Sequence, residues 1–194
     1  MFSGKWKEEI FTIPNLLSLF RIALIPVYVS IYLGAAKQSQ YLLAGSILSL
    51  SCITDWADGI IARKFQMITS LGKVLDPLAD KLTQFVLILS LSAKYAALYP
   101  VLTLFLIKEL FQCGALLFFA QRGKALPGAL WAGKLCTTVL FVSLILLVLF
   151  PQISPSTVLL LTLTDLFFLL YAFGSYVFAY FGNGNGLSEL KHDP

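Results

Sequence analysis

Six apolar runs, each near the length that crosses ~30 Å of hydrocarbon as a helix, divide the chain at 13–35, 40–62, 76–93, 98–120, 129–150 and 157–181. Turn formers stand between them: Gly34, Gly72, Tyr99-Pro100, Pro127-Gly128, Pro151 and Pro155. No stretch alternates with the two-residue period of a half-buried strand, and no internal repeat is visible. The pattern predicts an all-α integral membrane protein with six transmembrane helices in a single domain over residues 1–194. The first run continues past the usual apolar length of a signal peptide and lacks a small-residue cleavage site. Within segment 1–12, Phe2–Phe11 carries Trp6 and two lysines, which predicts a short interfacial helix; a free tail is the other reading. Residues 182–194 read as a flexible tail, because the glycines from Gly182 to Gly186 follow no strand and open no helix.

Composition narrows the class. The 194 residues are 58% apolar and 12% charged, whereas soluble domains carry about 25% charge. The three cysteines, Cys52, Cys113 and Cys136, lie in apolar stretches and form no disulfide framework. A single histidine, His192, argues against a Ser-His pair and against histidine-based metal binding. The formal charge of +4 reflects basic cytoplasmic loops instead of a nucleic-acid surface. With six spans the termini share a side, which holds eight loop or tail cations (Lys5, Lys7, Arg63, Lys64, Lys73, Arg122, Lys124 and Lys191) against Lys37 and Lys94 opposite. Both termini are therefore expected in the cytoplasm.

Ionisable residues inside the spans point to chemistry. Arg21, Lys81, Lys108 and Lys134 lie there, with the acids Asp55, Asp58, Asp76, Asp80, Glu109 and Asp165. Each charge costs ~2.5–3.5 kcal/mol at a span centre on insertion scales and usually faces a polar cavity. Four of the acids fall within a 26-residue window, Asp55 to Asp80. If the second span runs inward and the third starts inside, all four meet at the cytoplasmic edge. Arg21 and Lys134 reach the same level.

On a helix Asp55, Asp58, Gly59 and Ala62 share a stripe. The two small residues allow a ligand to approach closely, and Arg63 adds a donor fork suited to phosphate. Asp76 before Pro77 predicts an N-cap followed by proline at the first helical position, with Asp80 one turn on. Four crowded carboxylates repel one another unless cations intervene. With oxygen ligands and no nearby His or Cys, the fitting ions are hard: Mg²⁺, Mn²⁺ or Ca²⁺. A pair of ions ~3.5–4 Å apart suits phosphoryl transfer. A solvated acidic loop and a divalent-cation pathway are the other readings, although the acids gather at one face instead of spacing through the bilayer.

The window Asp55-x2-Asp58-Gly59-x2-Ala62-Arg63-x8-Gly72-x3-Asp76-x3-Asp80 resembles the signature of the CDP-alcohol phosphatidyltransferases at every fixed position. The resemblance implies a homodimeric six-helix enzyme of the bacterial cell membrane, its active site open to the cytoplasm. Asp55, Asp58, Asp76 and Asp80 would hold two divalent cations, Mg²⁺ or Mn²⁺, and Asp80 would also be the general base. Asp58, Gly59, Ala62, Arg63, Thr69 and Gly72 would bind the CDP portion of CDP-diacylglycerol. The runs Ile13–Arg21, Leu75–Lys81 and Gly133-Lys134-x2-Thr137-Thr138 are similar to the branch of phosphatidylglycerophosphate and cardiolipin synthases. That branch implies glycerol 3-phosphate as the alcohol acceptor, with phosphatidylglycerol as the alternative, and Arg21, Lys108 and Lys134 are the cations available for it. Lys108-Glu109 stands where the branch often has Arg-Glu, Leu116 where it often has arginine, and Cys136 where it often has lysine.

Lys81, next to Asp80, is read as snorkelling to the interface. Lys108-Glu109 reads either as an ion pair with a neighbouring helix or as a substrate contact. Ala129-x3-Gly133 reads as helix packing, and Asp165 has no assigned role.

Overall fold

The computed structural model describes residues 12–64, 69, 72–121 and 130–182. Among them run six long helices: α1 (Ile13–Leu33), α2 (Gln38–Lys64), α3 (Gly72–Ser92), α4 (Tyr99–Gln121), α5 (Trp131–Leu149) and α6 (Pro155–Val177). A 3₁₀ turn, Ala96–Leu98, precedes α4, and a π turn, Phe178–Gly182, extends α6. The described residues contain no strand. The six helices match the six apolar runs to within a few residues. The expected interfacial segment before residue 12 and the tail from residue 183 lie outside the described residues.

One boundary corrects the sequence expectation. Helix α3 begins at Gly72, so Asp76 is no N-cap and Pro77 lies inside the helix. The cap comes from earlier in the chain, where the Thr69 hydroxyl accepts from the Gly72 N–H at 2.9 Å. Asp76 and Asp80 are therefore consecutive-turn positions of an established helix.

Four helical stretches are long and apolar enough to cross a membrane: Asn15–Leu33, Ala96–Phe119, Trp131–Leu149 and Pro155–Tyr180. Helices α2 and α3 have the length but carry the carboxylates and their flanking cations. The long helices expose large apolar side chains, including Leu110 at 70% and Phe167 at 65%. Such a surface suits lipid, where intrahelical bonding is the means by which a lone segment satisfies its backbone. The chain is an all-helical membrane protein.

The helices form two compact units. The first comprises the chain through Lys94 together with Ile145–Gln152. Within it α1 packs against both α2 and α3, around Tyr28, Leu48, Leu87, Ile88 and Leu91. At one end Tyr28 stacks on Tyr32 at 5.6 Å, and Tyr32 meets Tyr41 edge-on at 5.8 Å. The Lys94 ammonium covers the Tyr41 ring at 4.3 Å, while Tyr28 and Ser90 share a hydroxyl contact at 3.2 Å. The last turn of α5 belongs to this unit and lies close to Gly45, where a Cβ would come 2.3 Å from Leu149.

The second unit comprises Tyr95–Leu144 and the chain from Ile153. Here α4 packs along α6, with Phe111 against Phe173 at 5.2 Å. Pro155 opens α6, and the Ser154 hydroxyl accepts from the Thr157 N–H at 3.2 Å, an N-cap arrangement that satisfies an otherwise orphan donor.

Candidate active site

The site grows from a polar stripe on an apolar helix. Asn15, Ser18 and Arg21 recur every third residue of α1 and are at most 2% exposed. A buried polar group without a hydrogen bond costs roughly 1–3 kcal/mol on mutational evidence, so this face of α1 needs polar partners. The chain from Thr69 to Asp80 supplies them. Asn15 Nδ2 donates to Thr69 Oγ1 at 3.0 Å, Ser18 Oγ donates to Asp76 Oδ1 at 2.5 Å, and Arg21 Nη1 donates to Asp80 Oδ1 at 2.7 Å.

Each contact has a structural consequence. Thr69 bridges the two segments, because the oxygen that accepts from Asn15 also caps α3. Gly72 fits into the same corner, where a Cβ would lie 2.6 Å from Asn15 Oδ1 and 3.1 Å from Thr69 Oγ1. Ser18 and Arg21 orient the two carboxylates of α3, four residues apart and hence on one helical face. The Arg21 side chain is 2% exposed, whereas that of Asp80 is 37% exposed. The cation is thus fixed inside the unit and the carboxylate stands at its surface. Just inside it, Arg21, Tyr28, Ser51 and Thr83 join apolar side chains around a small cavity between α1, α2 and α3.

The four aspartates of the window are divided by what is described. Asp76 and Asp80 are placed as above. Asp55, Asp58, Gly59, Ala62 and Arg63 lie in the final ten residues of α2, and their side chains lie outside the described residues. No group of three metal-ligating side chains occurs among the described residues. The described donor chemistry suits a hard cation, since Asp76 and Asp80 offer oxygen only and are held from α1 by a hydroxyl and a guanidinium.

Of the three cations expected near the acceptor, Arg21 lies against Asp80. Lys108 and Lys134 belong to the second unit. Lys108 is 4% exposed and donates to Glu109 Oε1 at 2.6 Å and to Gln112 Oε1 at 2.7 Å. Among the described contacts, the carboxylate partner of Lys108 is the next residue of the same helix. Lys134 is exposed. Asp165, 1% exposed on α6, faces the Ser143 hydroxyl of α5, yet among the described residues neither carboxyl oxygen has a partner at hydrogen-bonding geometry.

Asn15 and Ser18 received no role from sequence reasoning. The signal was present, because three polar residues at a spacing of three in an apolar span must face protein instead of lipid.

The profile of the CDP-alcohol phosphatidyltransferase family matches residues 11–177. The chain is 33% identical over 147 residues to the CDP-diacylglycerol--glycerol-3-phosphate 3-phosphatidyltransferase of Escherichia coli (strain K12), covering 74% of this chain and 80% of that protein. The same values hold for the proteins of that name from Shigella flexneri serotype 5b and Shigella sonnei. The family is in general dependent on divalent metal. With the carboxylates of α3 held by α1 and the family profile spanning both, this chain belongs to the CDP-alcohol phosphatidyltransferase family.

Proposed function

We propose that the protein transfers the phosphatidyl group of CDP-diacylglycerol to the hydroxyl of glycerol 3-phosphate, releasing CMP. The observation that carries this reading is the double anchoring of α3 by α1, Ser18 to Asp76 and Arg21 to Asp80, which presents two oriented carboxylates at the surface of the first unit. The name shared by the relatives supports the choice of substrates.

In this reading Asp55, Asp58, Asp76 and Asp80 hold two divalent cations, Mg²⁺ or Mn²⁺. When bound, these supply charge neutralisation at the diphosphate. Asp58, Gly59, Ala62, Arg63, Thr69 and Gly72 bind the CDP portion. Asp80 accepts the proton of the acceptor hydroxyl. That oxygen bonds to the lipid-side phosphorus, and the bond from this phosphorus to the bridging oxygen breaks to release CMP. Arg21 holds Asp80 in line, and Arg21, Lys108 and Lys134 supply positive charge for the acceptor phosphate. All six helices span the membrane of a bacterial cell as a single domain, with the site and both termini cytoplasmic, and the enzyme works as a homodimer.

The test uses purified protein in lipid nanodiscs with CDP-diacylglycerol. Release of CMP is expected with glycerol 3-phosphate and Mg²⁺ or Mn²⁺, and its loss on chelation. Preference for phosphatidylglycerol would make the enzyme a cardiolipin synthase. Cation flux into liposomes without nucleotide dependence, in the absence of CMP release, would replace the enzyme by a transporter. Asp80→Asn is expected to lower turnover about a thousandfold while nucleotide binding persists. Near-normal CMP release from that variant would remove Asp80 from the role of base.

A further inference from the structure

The small residue Gly133 reads from sequence as a packing position, but its surroundings in the second unit assign it a more specific task. A Cβ there would lie 2.4 Å from the Tyr176 hydroxyl oxygen and 3.1 Å from both Cε2 and Cζ of that ring. The neighbour is the end of a phenol that is only 6% exposed. Beside it stands Tyr180, whose ring centroid lies 5.7 Å from that of Tyr176. The Tyr180 hydroxyl in turn lies against the Gln112 amide. A ring so enclosed cannot yield to an added methyl without displacing its neighbours.

One of those neighbours is Lys108. Its ammonium lies 5.8 Å from the centroid of Tyr176, within the range over which a ring face attracts a cation. Two oxygen acceptors, Glu109 and Gln112, take donors of this ammonium from the same helix, and the ring bounds it from α6. Lys108 is thus hydrogen-bonded within its own helix and faced by a ring from another.

We propose that Tyr176 is a positioning residue for Lys108, and that Gly133 exists without a side chain so that the phenol can occupy that place. Three helices meet in this arrangement: α5 leaves the space, α6 fills it, and α4 carries the cation that the ring orients. The consequence falls on the acceptor. This rests on the reading of Lys108 as a contact of the acceptor phosphate. A displaced ring shifts the charge that meets glycerol 3-phosphate and leaves the CDP-diacylglycerol site unchanged.

The test measures CMP release in nanodiscs with each substrate varied separately, for Gly133→Ala, Tyr176→Phe and the double variant. Gly133→Ala is expected to raise the KM for glycerol 3-phosphate about fivefold to tenfold, with the KM for CDP-diacylglycerol unchanged. In the double variant most of this rise is expected to vanish, because removal of the hydroxyl deletes the atom in closest conflict. A general loss of packing would raise both KM values or lower kcat alone, and would show no such relief; either result overturns the proposal. Should Gly133→Ala fail to fold, Tyr176→Leu removes the ring without adding atoms, and a wild-type KM for glycerol 3-phosphate in that variant is equally fatal. Lys108→Gln separates the two levels of inference. An unchanged acceptor KM there removes the underlying reading and the proposal with it. A raised acceptor KM in Lys108→Gln beside a wild-type value in Gly133→Ala overturns the proposal alone.

Discussion

The two units treat buried polar side chains in opposite ways. In the first, Asn15, Ser18 and Arg21 reach out of α1 to partners on the Thr69–Asp80 segment. In the second, Lys108 donates to Glu109 and Gln112 of its own helix, and Asp165 faces the Ser143 hydroxyl. Hydrogen bonds between helices specify rotation and height together, since both partners must coincide at ~3 Å. Hydrogen bonds within a helix specify neither. The α1–α3 pairing of the first unit is therefore registered by polar chemistry, whereas in the second steric fit has a larger part, as between Gly133 and Tyr176. The difference follows the demands of the proposed reaction: carboxylates that share a metal must be placed to a fraction of an ångström, and an acceptor cation tolerates more.

If this contrast holds, the largest effect comes from its strongest bond. Arg21→Met removes the buried partner of Asp80, and turnover is expected to fall about a hundredfold through misplacement of the carboxylate. A steady-state assay checks this, and a variant within twofold of wild type would show that the pair does not orient the site. Ser18→Ala comes next. If Asp76 holds metal as proposed, loss of the hydrogen bond behind it is expected to raise the Mg²⁺ concentration for half-maximal activity about tenfold. Ser18→Thr, which keeps the hydroxyl, should recover most of it.

Gly72→Ala probes the corner where α3 begins. The added Cβ meets Asn15 Oδ1 at 2.6 Å, and overpacking of this kind costs about 1–3 kcal/mol, measurable as a lowered midpoint of thermal unfolding in detergent. Combining it with Asn15→Ala should give less than the sum of the two losses, because the conflicting atom is then absent. The smallest effect is expected in the second unit. Asp165→Asn replaces a carboxyl without hydrogen-bonded oxygens by a neutral amide of similar size, so stability should stay within about 1 kcal/mol or rise, with CMP release retained. A severe loss of activity would mean that the second unit, too, uses buried charge for placement.

The sequence was readable to different depths along different coordinates. Position along each helix was legible, because apolar runs must match the membrane and charges gather near its edges. The meeting of Arg21 with Asp80 follows from their similar depth. Rotation about each helix axis and the exact helix starts were less so. The pairing of Lys108 with the adjacent Glu109 is a detail of side-chain direction that residue spacing does not give. Pro77 suggested a helix start because proline favours the first turn. The true start depends on Thr69, three residues before Gly72 and paired with an asparagine 54 residues away. Local pattern carries no trace of such a contact. Asn15 and Ser18 were the opposite case, with spacing that did encode a buried face and whose partners only the fold could supply.

The interval of three in α1 gives its contacts a shared fate. Advancing the helix by a single residue translates each donor ~1.5 Å and turns it ~100°, so Thr69, Asp76 and Asp80 would lose their partners together. A bilayer too thin or too thick for this first span is met by tilting of the helix or deformation of the lipid, and a tilt strains the same contacts. The α3 carboxylates on which the proposed reaction depends are thereby sensitive to the thickness of the surrounding lipid.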